Sequence, residues 1–128
     1  LDDMGVPYLH RFFDDPNGVA ELYQLLDAYA VTSREEGGPK AIMEALACGV
    51  PLVSFDVGMA RDVMEGHDCG VICEVGDTGA MLSALSEIAD DPARRAGMIE
   101  NGLKRVQSYS WPEVAKAAEA MYKAIDEQ

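Results

Sequence analysis

Short apolar runs alternate with amphipathic segments along the first 74 residues of the chain. An apolar run bounded by turn residues is typical of a buried strand, whereas apolar residues spaced three and four apart are typical of a helix. The runs predict strands at residues 6–10, 29–32, 51–55 and 70–74. The segments between them predict a helix capped by Asn17, a second helix over 39–48 and a short third one over 60–64.

The alternation stops after residue 74, and three further helices are predicted: one capped at Asp77, one over 93–108 and one that starts after Ser110. Strands that alternate with helices in units of about 20–25 residues pair in parallel. The pattern therefore predicts an α/β fold, a Rossmann-like parallel sheet of about four strands with flanking helices and C-terminal helices. Ligands of such sheets bind at the carboxyl ends of the strands, which draws attention to the turn after residues 29–32.

That turn carries two glycines and the start of a helix. It reads Ser33-Arg34-Glu35-Glu36-Gly37-Gly38-Pro39-Lys40-Ala41-Ile42-Met43-Glu44. Glycines let the backbone approach a ligand, and Pro39 at the first helical position gives up an N–H group that has no helical partner. The N–H groups of Gly37, Gly38, Lys40 and Ala41 are then free to face an anion, which the helix dipole also favours. With the cation of Lys40 beside them, they predict a binding loop for a diphosphate.

Two carboxylates flank this loop, at Glu36 and Glu44. At about 1.5 Å per helical residue they stand roughly 10–12 Å apart. A carboxylate can accept two hydrogen bonds from a vicinal diol, and a nucleotide sugar has diols at both ends with two phosphates between them. The residues alone leave an alternative open, in which Glu44 forms an ordinary helical ion pair with Lys40 and Glu36 is simply solvated.

A longer motif follows the two glutamates, which have seven residues between them. It reads Ala45-Leu46-Ala47-Cys48-Gly49-Val50-Pro51-Leu52-Val53. This pattern resembles the signature of the large group 1 (family 4) family of retaining glycosyltransferases, which have the two-domain GT-B fold and use nucleotide-diphospho-sugars. The segment 58–70 and Tyr109-Ser110-Trp111 also resemble parts of that family, although Met59 and Asp62 replace its usual glycine and glutamate.

The resemblance implies a role for each residue of the site. Glu36 is the candidate catalytic residue and positions the transferred sugar rather than acting as a nucleophile, while Glu44 contacts the ribose hydroxyls. The sugar and phosphates are held by Gly37, Gly38, Pro39, Lys40 and Ala41. The nucleobase is expected near Leu9, His10 and Arg11. The donor is expected to be a UDP- or GDP-sugar, with no cofactor and no metal.

The resemblance also implies that residues 1–128 form a single, truncated C-terminal nucleotide-sugar-binding domain without the N-terminal acceptor domain. The whole enzyme is expected to transfer a hexose to an unknown acceptor. Because the basic residues that neutralise the leaving group are expected to lie in the missing part, the chain alone is expected to transfer no sugar. Two alternatives remain: a fragment of a UDP-sugar epimerase of the same fold, or a non-catalytic nucleotide-binding or interaction module.

Truncation predicts an exposed sheet edge at residues 29–32. Unpaired strand edges recruit partners. We therefore expect either that residues 6–10 pair with this edge, or that a second chain covers it as a homodimer or by strand exchange.

Composition bears on the partners and the location of the protein. A net charge of −13 argues against nucleic acids and anionic lipid surfaces as partners. No apolar run approaches the roughly 20 residues of a membrane helix, so no integral membrane segment is expected. A cytoplasmic location is expected, with any membrane association supplied by the N-terminal domain. The spacing of Cys48, Cys69 and Cys73 suits reduced thiols rather than zinc ligands.

Overall fold

Three parallel strands form the central sheet in the computed structural model, which describes residues 2–38 and 40–126. The strands are β1 (Tyr29–Val31), β2 (Leu52–Phe55) and β3 (Gly70–Cys73). A 3-10 turn at Asp2–Met4 precedes the α-helices, which are α1 (Pro16–Tyr23), α2 (Lys40–Ala47), α3 (Ala60–Met64), α4 (Thr78–Asp90), α5 (Pro92–Gln107) and α6 (Trp111–Asp126). The predicted α/β class and the parallel sheet are confirmed.

The sheet order is β1-β2-β3, with Leu52 of β2 opposite both Tyr29 and Gly70. All four residues of β2 are buried, as expected for the central strand of a parallel sheet that helices cover on both faces. Packing requires a glycine at position 70, because a Cβ on Gly70 would lie 2.6 Å from the Leu52 carbonyl oxygen and 2.7 Å from the Met64 sulfur. The absent side chain therefore lets β3 lie against β2 beneath α3.

The strand predicted at residues 6–10 is wrong, so the sheet has three strands rather than about four. These residues form no regular structure and do not pair with β1. Pro7 lies in the middle of the run and cannot donate a hydrogen bond to a ladder. Tyr8 and Leu9 are exposed, so no burial offsets the entropy cost of fixing the backbone. That a second chain covers the β1 edge stays a prediction.

The core lies where α2 packs between the sheet and α5. Its largest fully buried side chains come from α2, β2, α4 and α5, namely Ile42, Leu46, Leu52, Ile88 and Met98. Gly102 lets α5 approach α2, because a Cβ there would lie 2.8 Å from Leu46 Cδ2. This packing fixes the position of α2, whose N-terminus follows the predicted binding loop.

The first helix begins earlier than its predicted cap at Asn17. The carboxylate of Asp15 accepts hydrogen bonds from the N–H groups of Asn17 (2.7 Å) and Gly18 (3.1 Å), which makes Asp15 the N-cap. The next residue is Pro16, which has no N–H to satisfy and is favoured in the first helical turn. The cap consequently falls two residues before the predicted one.

The last helix, α6, has no buried residue between positions 111 and 125. Its apolar side chains are exposed, with Trp111 at 86% and Tyr122 at 72% of their full accessible area. The helix is therefore present as predicted, but it adds nothing to the core. Within residues 2–38 and 40–126, no helix combines the length and apolar character needed to cross a membrane.

Candidate functional site

The predicted binding loop follows β1 at the carboxyl end of the sheet, as the sequence indicates. β1 ends at Val31 and α2 begins at Lys40. In the loop, the Ser33 hydroxyl donates a 2.6 Å hydrogen bond to Glu36 Oε1. Glu36 is otherwise exposed. Ser33 therefore restrains a carboxylate whose second oxygen has no partner among the described residues.

The two loop glycines have no internal structural reason to be glycine. A Cβ at Gly37 or Gly38 would meet no atom within 4 Å, and neither residue has a positive φ. Both are exposed, whereas Pro39, the next predicted site residue, lies outside the described residues. The open space in front of these two glycines is available to a ligand, and the first-turn N–H groups at Lys40 and Ala41 lack partners inside their own helix.

Glu44 lies one turn into α2, next to the end of α1. Its Oε2 accepts a 3.3 Å hydrogen bond from the hydroxyl of Tyr23, the last residue of α1. Tyr23 is buried, and its ring packs edge-on against Tyr29 with 5.4 Å between ring centroids. Burial, then Tyr29 and then Glu44 raise the pKa of Tyr23 far above its usual value. The hydroxyl therefore keeps its proton and is the donor in this bond.

Tyr23 was not among the residues that the sequence predicted for the site. A buried tyrosine usually has a hydrogen-bond partner for its hydroxyl, which is the signal that could have raised the question. The identity of that partner depends on how α1 and α2 pack, and the sequence pattern does not specify this.

Three basic side chains have no partner among the described residues. Of the ten lysines and arginines, six pair with carboxylates, namely Arg61, Arg94, Arg95, Lys104, Lys116 and Lys123. Arg105 instead donates to backbone carbonyl oxygens. Arg11, Arg34 and Lys40 form no ion pair or hydrogen bond with any described residue. These three belong to the segments predicted to hold the nucleobase and the diphosphate, and Lys40 does not pair with Glu44.

A cleft of about 500 Å³ lies between α1 and α2 and has Glu44 in its wall. Phe13, Val19, Tyr23 and Cys48 line it as well, so its surface is mostly apolar, and the carboxylates of Asp14 and Asp15 join that of Glu44 in its wall. The predicted nucleobase residues Leu9, His10 and Arg11 are exposed and do not line this cleft. Their contact with a base stays a prediction.

A larger cleft of about 630 Å³ runs beside β3 and contains none of the predicted site residues. Asp56, Glu65, Asp68 and Glu74 line it, and its cation, Arg61, already pairs with Asp56 and Glu65. Both clefts therefore have acidic walls. The smaller cleft is the candidate site because it contains Glu44 and adjoins the predicted binding loop.

The described residues show neither a metal-binding cluster nor a disulfide. No group of three or more His, Cys, Asp or Glu side chains within the described ranges is arranged to hold a metal ion. All three cysteines are free thiols, and burial raises the pKa of Cys69 and Cys73.

Residues 9–105 match the family model described as "Glycosyl transferases group 1". The chain belongs to this family. The match includes the binding loop, both glutamates and Tyr23, and it confirms the family that the motif after Glu44 indicates. It supports glycosyl transfer over the epimerase alternative.

Two curated glycosyltransferases are similar to the chain in sequence. The chain is 31% identical over 117 residues to the lipopolysaccharide core biosynthesis mannosyltransferase LpsB of Rhizobium meliloti, covering 89% of this chain and 33% of that protein. It is 30% identical over 122 residues to a D-inositol 3-phosphate glycosyltransferase of Corynebacterium aurimucosum, covering 94% and 29%. The chain thus spans about a third of the length of these group 1 glycosyltransferases.

The fold has solved counterparts. Sucrose-phosphate synthase from Thermosynechococcus elongatus superimposes with a TM-score of 0.74 at 26% identity, over 86% of this chain and 28% of that one. The architecture matches part of a GT-B glycosyltransferase, as the resemblance implied.

Proposed function

We propose that this chain is the donor-binding part of a retaining hexosyltransferase that uses a UDP- or GDP-sugar. The observation that carries the proposal is the position of three cations that have no carboxylate partner among the described residues. In a chain of net charge −13, Arg34 and Lys40 stand in the loop and at the start of α2, and Arg11 lies two residues before Phe13 of the cleft. A cation left without a carboxylate in so acidic a protein is available to an anionic ligand.

In this proposal the diphosphate lies against the start of α2. The N–H groups of Gly37, Gly38 and Ala41 donate to phosphate oxygens, and Lys40 neutralises part of their charge. A helix N-terminus and a flexible lysine suit a phosphate because both act without a fixed bidentate geometry.

In the same proposal, Glu44 binds the ribose of the nucleotide and Glu36 binds the hexose. Glu44 faces the cleft and accepts hydrogen bonds from the ribose diol, since each carboxylate oxygen can accept more than one. Glu36, restrained by Ser33, accepts from hydroxyls of the transferred hexose and fixes its orientation. Catalysis in this scheme comes from orienting the sugar and stabilising the leaving diphosphate, with no nucleophilic side chain, metal or cofactor.

We place acceptor recognition outside the matched region. The names of the two relatives specify different acceptors, a lipopolysaccharide core and an inositol phosphate, although both match this chain at similar identity. We accordingly propose that residues 1–128 alone bind the donor but transfer no sugar, which a coupled transferase assay on that chain would test.

The test of donor binding is a titration with UDP and GDP followed by amide NMR. We expect shifts at Gly37, Gly38 and Ala41 with one of the two nucleotides, and weaker binding in Glu44→Gln. Glu119→Gln is the matched control, since Glu119 is an exposed helical glutamate of α6 paired only with Lys123. A folded protein whose loop amides do not respond to either nucleotide or to a sugar-loaded form would contradict the proposal.

A further inference from the structure

We infer that Tyr23 is a positioning residue that holds Glu44 in its ligand-binding orientation and keeps it from pairing with Lys40; this rests on the proposed function. The contact that carries the inference is the hydrogen bond from the Tyr23 hydroxyl to Glu44 Oε2, at 3.3 Å. Both residues line the cleft between α1 and α2.

Glu44 and Lys40 are four residues apart on α2, a spacing at which opposite charges commonly pair on a helix surface. They do not pair here. Glu44 instead points to the end of α1, where it meets the one hydroxyl in that wall. The pairing that would neutralise both groups is thereby avoided, so the cation stays available to phosphate and the carboxylate to a diol.

Tyr23 is well suited to this task because it is itself fixed. Its side chain is buried, and its ring contacts Tyr29 at the start of β1. Tyr29 is in turn tied to the next strand through a 2.9 Å hydrogen bond from its N–H to the Pro51 carbonyl oxygen. An exposed glutamate loses rotamer entropy when it binds a ligand, and a partner that restricts it beforehand lowers that cost.

The bond leaves Glu44 able to bind. A carboxylate has about four lone-pair positions on its two oxygens, and Tyr23 occupies one of them. Because burial raises the pKa of Tyr23, its hydroxyl keeps its proton and remains a donor.

The test is a double-mutant cycle in the full-length protein, with Tyr23→Phe, Glu44→Gln and the double variant. Binding of UDP and GDP is measured by calorimetry, alongside the 2′-deoxy form of whichever nucleotide binds better. Tyr122→Phe is the matched control, since it removes an exposed hydroxyl on α6. Thermal melting of each variant checks the fold.

We expect Tyr23→Phe to weaken nucleotide binding by roughly three- to tenfold, the effect of losing one typical hydrogen bond. The same change should have little effect in the Glu44→Gln background. It should also reduce the preference for the ribonucleotide over its 2′-deoxy form, which a general loss of stability would not do.

The possible outcomes distinguish failure of the inference about Tyr23 from failure of the proposed function. If wild type binds and Glu44→Gln weakens binding, but Tyr23→Phe has no effect or the same effect in both backgrounds, the inference about Tyr23 is overturned and the proposed function stands. If wild type binds neither nucleotide nor a sugar-loaded form, the proposed function is overturned and the inference with it.

Discussion

At the scale of single residues, glycines in this chain serve two different purposes that the sequence does not distinguish. Gly70 is required by packing, since a side chain there would meet Leu52 and Met64. Gly38 is required by nothing in the described structure, and a side chain there would point into open space. Only the approach of a ligand would make the second position sensitive.

This difference predicts opposite outcomes for the same substitution. Gly38→Ala should leave the free energy of unfolding within about 0.5 kcal/mol of wild type, as for other exposed sites, yet weaken nucleotide binding by roughly tenfold, about 1.4 kcal/mol. Gly70→Ala should lower the free energy of unfolding by about 1–3 kcal/mol, as overpacking does. Urea denaturation and nucleotide titration of both variants check this, and equal binding by Gly38→Ala and wild type would count against the loop as the site.

The same scale shows how far the sequence predicts the site. Glu36, Glu44 and the loop between them can be assigned from spacing and family resemblance, because these features are local in the chain. The hydroxyls of Ser33 and Tyr23 that restrain the two glutamates were not assigned. Ser33 lies three residues from its partner, but Tyr23 lies 21 residues away, and that contact exists only once α1 has packed against α2.

At the scale of elements, the apolar pattern predicts three strands and six helices correctly, because each of these either buries an apolar face or begins after a recognisable capping residue. The exceptions have local causes. The run at residues 6–10 is apolar enough for a strand, but it contains Pro7 and does not pair with a strand of the sheet. The cap of α1 moves from Asn17 to Asp15 because Pro16 occupies the first helical turn.

One contact between elements has a measurable role. Arg105 of α5 donates to the carbonyl oxygens of Val63 (2.9 Å) and Asp62 (2.7 Å) near the end of α3, and its guanidinium lies 4.9 Å from the centre of the Tyr109 ring. These carbonyls belong to a helix end, where the last carbonyl groups have no partner in their own helix.

Arg105→Met should therefore lower the free energy of unfolding by about 1–3 kcal/mol, since it removes the donor of the Val63 carbonyl oxygen and leaves that of Asp62 with only a 3.4 Å bond from the Tyr109 hydroxyl. The neighbouring Lys104→Met removes only an exposed ion pair with Glu100, which should cost less than about 0.5 kcal/mol. Urea denaturation of both variants is the measurement. Equal losses for the two would mean that Arg105 does not tie α5 to α3.

At the scale of the whole molecule, the core and α6 are separate in energetic terms. The buried side chains come from the sheet, from α1 to α5 and from the segments that connect them, whereas every residue from 111 to 125 is exposed. Most of the stability of a helix in a protein comes from packing of its apolar face, and isolated helices shorter than about 12–15 residues are only marginally stable in water. The 16 residues of α6, which lack such packing, therefore have little stability of their own.

Hydrogen exchange should show this division directly. In a chain of residues 1–128, we expect the amides of α6 to exchange many times faster than those of α2 and β2, because they open without disturbing the core. Exchange measured by NMR or mass spectrometry tests the expectation. Protection of α6 equal to that of α5 would mean that another surface covers its apolar side chains.

The isolation of three cations within an acidic protein also bears on kinetics. A nucleotide approaching from a distance meets the repulsion of the whole chain, which salt screens over about 8 Å at physiological ionic strength. Once it has arrived, it meets the attraction of Arg34 and Lys40, which salt weakens as well. Added salt should then speed encounter and shorten residence at once, so that affinity passes through a maximum at intermediate ionic strength rather than falling steadily.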